Sequence, residues 1–250
     1  MPPKPRKPPP RKGSANRNLL IAAGAAAAVV VVLVGASLLL RGGDSGGNSG
    51  GDSATGGVTG IAEASALLDG IPQDRAELGS QKAKVTMIQF EDLQCPICRR
   101  YQAEGFPSVV DEYVRPGKVK LRFVGMAFIG PDSEKALLYT LAAGEQGKLW
   151  QFQDALYANQ GEENSGWVTD TLLEQIAKGL GLDWAKLKKD ADSAVTLQQA
   201  NSMAAEANQR QIEGTPTFYV QIGNGQPYKV QPGSFDPSAF RSILDDALAS

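Results

Sequence analysis

Cys95 and Cys98 are the only cysteines in the 250-residue chain, and they stand three apart in the stretch "EDLQCPICRR". Three kinds of chemistry use such a spacing: a metal clip, a structural staple or a working dithiol. Structural zinc needs four ligands, usually Cys or His. The sequence has no histidine and no third cysteine, so two chains would have to share the ion. A disulfide staple across so short a loop removes little unfolded-chain entropy. A redox dithiol meets neither objection and is the reading adopted, with no metal and no cofactor beyond the Cys95–Cys98 disulfide itself.

The flanking sequence has to position that pair. Val85–Phe90, "VTMIQF", is apolar on both faces, as a central strand should be. It runs directly into the motif, where Pro96 suits the first turn of a helix because its missing N–H costs nothing there. That helix is predicted to continue to about Val114, before Pro116-Gly117. At its start Cys95 faces unpaired backbone N–H groups and the positive end of the helix dipole, both of which favour thiolate. Cys98 lies about one turn further on, on the same side. Cys95 would therefore attack or be attacked, and Cys98 would resolve the mixed disulfide.

Val119–Val124, "VKLRFV", reads as a second strand, and the short strand–helix–strand crossover favours a parallel pair. A helical stretch follows, roughly Ser133–Gln211. Within it Thr171-x-x-Glu174 is a candidate capping box, and Gly179 and Gly181 are candidate stops. Trp150, Phe152, Tyr157 and Trp184 are expected to pack a core. Thr217–Ile222, the turn "GNG" and Tyr228–Val230 form a hairpin signature. Asp236-Pro237 opens a last helix to about Ala249, with Asp as cap. The order βαβ, then helices, then ββα describes an α/β domain with its chemistry at the carboxyl edge of the sheet.

The first sixty residues read differently. Met1–Asn18 carries six prolines and six Lys or Arg without an acidic residue, the composition of a disordered basic tail. Leu19–Leu40 is 22 uncharged residues, which as a helix would be ~33 Å long and could span a bilayer core. The basic side should stay cytoplasmic and send the rest across the membrane. A signal peptide cleaved near Ala36 is the alternative. Residues 41–60 are a glycine-rich tether with a reach of ~24 Å. Beyond Arg41 the chain has 27 acidic residues against 18 basic ones, which disfavours nucleic-acid binding. The expected organisation is thus a tail over 1–18, a membrane anchor over 19–40, a linker over 41–60 and an extracytoplasmic domain over 61–250.

A second element, "GTPTF" at Gly214–Phe218, opens a strand. On local sequence alone its proline is an edge-strand start. Together with "LDGIPQ" at Leu68–Gln73, "QFEDLQCPICRRYQ" at Gln89–Gln102 and "GKLWQFQDALYANQ" at Gly147–Gln160, however, the chain from about Leu68 onward resembles the DsbA-like thiol–disulfide oxidoreductases. The resemblance implies a thioredoxin-like fold interrupted by a helical domain over about 131–212. It also implies an exposed Cys95, a buried Cys98 and a cis Thr215–Pro216 bond facing the disulfide. Pro96, Ile97, Thr215 and Pro216 then support the site, and backbone beside Pro216 would pair with an extended substrate peptide.

One departure stands out. Members of that family often carry a buried acid six residues before the first cysteine, and here the position holds Gln89. Glu91 is the candidate substitute for proton transfer, although a solvated loop acid is the expectation for it. The implied activity is oxidation of cysteine pairs in exported proteins, with re-oxidation by an integral-membrane partner of the DsbB or vitamin-K-epoxide-reductase-like type. A reductase or isomerase of the same fold, or a non-catalytic binding module, are the alternatives.

Overall fold

The computed structural model describes residues 57–250. The expected basic tail, the 19–40 span and nearly all of the tether lie outside the described residues. Among the described residues no helix is long and apolar enough to cross a membrane.

A six-stranded sheet carries the domain. In chain order come α1 (Ile61–Leu68), β1 (Gln73–Asp74), β2 (Glu77–Leu78), β3 (Val85–Asp92), α2 (Pro96–Glu104), α3 (Phe106–Val109) and β4 (Val119–Met126). Five helices follow: α4 (Pro131–Gly144), α5 (Leu149–Ala158), α6 (Asp170–Gly179), α7 (Trp184–Ala191) and α8 (Ala194–Gln209). The chain ends with β5 (Thr217–Ile222), β6 (Tyr228–Val230) and α9 (Pro237–Ala249). The sheet order is β1-β2-β4-β3-β5-β6. As the short crossover predicts, β3 and β4 are parallel, in register from Val85 opposite Val119 to Asp92 opposite Met126. On its other side β3 runs antiparallel to β5, with Phe90 opposite Thr217. This pairing brings the start of "GTPTF" beside the end of the strand that delivers the cysteines.

Local chemistry accounts for the helix ends. The helix predicted over Pro96–Val114 is divided at Gly105, and a π turn over Val110–Val114 finishes it. Pro107 cannot donate the bond that would continue α2. Gly105 admits the Phe240 ring, since a Cβ there would lie 2.9 Å from it. The expected capping box does not form: the cap lies two residues earlier, at Thr169, which accepts from Leu172 N at 3.1 Å, and Leu172 has no side-chain acceptor to return the bond. Thr171 is instead within the first turn. Gly181, at φ +72°, ends α6 with bonds from Leu182 N to Ala177 O and from its own N to Lys178 O, the paired closure that needs a left-handed residue. Asp236 occupies the cap position of α9, but its side chain makes no cap bond and accepts from Ser234 Oγ instead.

The core between sheet and helices is aromatic. Tyr101 meets Phe218 edge-on at 4.8 Å and Phe106 stacks on Trp150 at 5.9 Å. Trp150, Phe152 and Tyr157 are buried as expected, and Trp184 is half-buried against Tyr139. Each large apolar side chain buried there contributes ~1.5–3 kcal/mol, which holds α2 and α5 rigidly on the sheet behind the cysteines.

Candidate active site

Cys95 is the N-cap of α2 and Pro96 its first helical residue. Both cysteines are unbonded thiols in this structure. The loop of β5 closes over them: the Thr215–Pro216 bond is cis, and Cys95 Sγ donates to Thr215 O at 3.3 Å. That cover corrects the expectation of an exposed nucleophile. Cys95 keeps only 7% of its surface exposed, while Cys98 keeps none. The exposed member of the motif is Ile97, at 47%. With Thr215, Pro216, Val230 and Phe235 it lines a groove of about 450 Å³.

The two sulfurs differ in proton affinity. The Cys98 thiol, hydrogen-bonded to Cys95, draws the Cys95 thiol down from its ordinary 9.0 to about 6, against the opposing effect of partial burial. The buried Thr215 hydroxyl and the backbone N–H groups of Cys98 and Ile97 act in the same direction. Burial pushes the Cys98 thiol well up, with the Cys95 hydrogen bond and the Glu91 carboxyl adding to the rise. Attack on the Cys95–Cys98 disulfide at Cys98 would therefore release a stable Cys95 thiolate, whereas attack at Cys95 needs a proton delivered to Cys98.

Glu91 departs most from its expectation. It is not a solvated loop acid but fully buried. Its Oε2 accepts from Gln153 Nε2 and from Tyr157 Oη, both at 2.9 Å, while Oε1 has no partner. Burial pushes the carboxyl up from 4.5 to about 8, and the two hydrogen bonds only partly oppose it. Both donors come from α5, more than sixty residues along the chain, which is why the local sequence could not disclose the burial. Gln89, on the same face of β3, donates to Tyr101 Oη at 2.7 Å.

Several residues that frame the site escaped the reading of the sequence. Asp92 is buried and accepts from Gln94 N, Ser133 Oγ, Phe128 N and Ile129 N. The Gln94 side chain bonds Ser133 and both the backbone and side chain of Asn164. Gln160 Nε2 donates to Leu93 O at 2.8 Å and to Cys95 O at 3.3 Å. A signal was present: Gln153, Tyr157 and Gln160 recur at helical spacing, a polar line along the segment "LWQFQDALYANQ".

A dithiol at a helix N-terminus, facing a cis-proline on a sheet of this order, defines a thiol–disulfide exchange protein. The comparisons agree. The sequence profile described as Thioredoxin matches residues 72–246. The chain is 33% identical over 154 residues to the "Probable disulfide bond formation protein D" of Bacillus cereus, covering 60% of this chain and 71% of that one. It is 30% identical over 146 residues to the "Disulfide bond formation protein D" of Bacillus subtilis, covering 57% and 66%. The crystal structure of oxidised BdbD from Bacillus subtilis superposes with a TM-score of 0.62 at 26% identity, covering 72% of this chain and 97% of that one. The chain belongs to the thioredoxin family, within which it is a DsbA-like thiol–disulfide oxidoreductase.

Proposed function

We propose that the chain is a membrane-tethered oxidase of cysteine pairs in exported proteins, held by residues 19–40 with its N-terminus cytoplasmic and its domain over 61–250 outside. The observation that carries the direction is the Cys95 thiol, lowered to about 6. A stabilised thiolate favours the reduced enzyme and so makes the disulfide an oxidant. The relatives named disulfide bond formation protein support the same direction.

In this reading a client thiolate attacks Cys95 Sγ, the Cys95–Cys98 bond breaks and a mixed disulfide forms. Cys98 leaves as thiolate and takes a proton, for which Glu91 is the donor. The client's second thiolate attacks its own sulfur in the mixed disulfide and releases Cys95 as thiolate. Two electrons pass from client to enzyme, and an integral-membrane partner of the DsbB or vitamin-K-epoxide-reductase-like type removes them. The tether raises the local concentration of such a partner without any new contact. Pro96 and Ile97 shape the approach to Cys95, and backbone beside Thr215 and Pro216 pairs with the client as an added strand. The site needs no metal or further cofactor.

The test is a redox titration of the full chain in detergent against glutathione buffers. A potential of roughly −120 to −150 mV is expected for an oxidase, and a value near about −270 mV would make the protein a reductase instead. Cys95→Ser should abolish turnover of a reduced client, and a variant that still oxidised it would remove Cys95 from the attacking role.

A further inference from the structure

The loop that carries Cys95 is held from one side by a single distant segment. Tyr157 Oη reaches Asp92 O at 3.3 Å, Gln160 Nε2 reaches Leu93 O and Cys95 O, and Asn164 N reaches the Gln94 side chain at 2.7 Å. Among the described residues no other side chain donates to the Leu93 or Cys95 carbonyl. Gln160 is itself on a fixed base. Its neighbour Asn159 donates to Ala155 O at 2.7 Å and to Thr59 O at 2.8 Å, and receives Thr59 N at 3.0 Å. The end of α5 is thereby clasped to the chain entering the domain.

The Cys95 carbonyl has two obligations. It accepts the first helical bond of α2, from Arg99 N at 3.1 Å, and it accepts from Gln160. Together they set the ψ angle of Cys95, which at 117° holds an extended N-cap conformation. Rotation about that bond would swing Sγ relative to the N–H groups of Ile97 and Cys98, the open donors of the helix end.

We propose that Gln160 is a positioning residue of the dithiol: its side-chain amide fixes the Leu93–Cys95 loop so that Cys95 Sγ stays aimed at the open N–H groups of α2. It touches no reacting atom and acts through the two carbonyls. The inference rests on the reading of Cys95 as the attacking thiol. It also gives the inserted helices a chemical duty, since the segment that closes α5 becomes one wall of the nucleophile's seat.

The experiment uses the full chain with Gln160→Met, which keeps side-chain length and removes the donor. The rate of alkylation of the reduced protein is followed against pH. The titratable groups that face Cys95 are Cys98 from α2, Glu91 from β3 and Tyr157 from α5, and none of them is altered. Loss of the donor should lower the acidity constant of Cys95 by about threefold to tenfold. The equilibrium with glutathione should move toward the disulfide, by the same factor well above the Cys95 value and by less near it. A purely structural role would change the unfolding midpoint and leave the alkylation profile alone, and that result overturns the proposal. Gln160→Asn, whose amide is too short to reach both carbonyls, gives a second route should the methionine variant not fold; an unmoved profile there also overturns it. A wild-type protein that forms no disulfide, or whose Cys95 titrates at its ordinary value, would sink the attacking-thiol reading and this inference together. An unmoved variant beside a normal wild type sinks this inference alone.

Discussion

Glu91 and Asp92 are adjacent on β3 and equally buried, but alternation along the strand sends them to opposite faces. On Asp92 four donors converge, from Gln94 N, Phe128 N, Ile129 N and Ser133 Oγ, and both oxygens are served. On Glu91 two donors reach one oxygen, and the other has nothing. Burial alone therefore does not decide what a carboxyl group does in this domain; the donors that meet it do. Asp92 is a fastener, tying the β3–α2 loop to the loop after β4. Glu91 is pushed up to about 8 by its burial and stays protonated at neutral pH.

The sharpest way to break that contrast is Glu91→Gln. The folded-state value of Glu91, about 8, lies above its ordinary 4.5. Its contribution to stability is thus fully present below about pH 4.5 and is lost as the pH rises through about 8. The loss is of the order of 5 kcal/mol for a site that does not relax. In the reduced protein Cys95 runs the opposite way. Its lowered value of about 6 contributes stability that is present above about 9 and lost as the pH falls through about 6. Oxidised protein removes the thiols and leaves Asp154, pushed up by burial from 3.8 to about 6, as a second raised carboxyl. There wild type should lose denaturant stability up to about pH 8, whereas Glu91→Gln should keep only the loss due to Asp154 and run flat between about pH 7 and pH 8. Parallel profiles would mean that Glu91 does not hold a proton at neutral pH.

Asp92→Asn tests the other side of the pair and should act with the opposite sign. An amide nitrogen would then face backbone donors that now meet an oxygen. The expected cost is about 2–3 kcal/mol at neutral pH, read from the shift in denaturation midpoint. A gain, or no change, would show that the two carboxyls are equivalent after all and that the convergence of donors on Asp92 is incidental.

The difference between these neighbours marks how far the sequence was legible. Apolar β-branched runs disclosed β3 and β4, the hairpin signature around "GNG" disclosed β5 and β6, and the short crossover disclosed which pair is parallel, because those signals are local. The two-residue strands β1 and β2 carry too few positions to show a period, and α1 begins one residue past a glycine-rich tract that masks its start. The positions of Cys95, Pro96 and Thr215–Pro216 were readable as motifs. The burial of Glu91 was not, since it is produced by Gln153 and Tyr157 on a helix of the insertion. A strand residue beside a reactive loop reads as solvated until the element that covers it is known. The same holds for Cys95, whose cover comes from a loop 120 residues later.

The smallest effect in the series is also the most discriminating. Tyr157→Phe removes one of the two donors on Glu91 and keeps the ring in the core. Because that bond lowers the proton affinity of Glu91, its loss should move the carboxyl further up and extend the pH range over which stability falls. The variant should be weaker than wild type by about 1–2 kcal/mol near about pH 9, where the carboxylate needs the donor. Near about pH 4, where a neutral acid needs it less, the difference should shrink to about half that or below. Tyr157 Oη also approaches Asp92 O, at 3.3 Å. An equal loss at both pH values would therefore assign the hydroxyl to that carbonyl rather than to Glu91. A loss confined to the alkaline side would tie the inserted helix to the protonation of the buried acid.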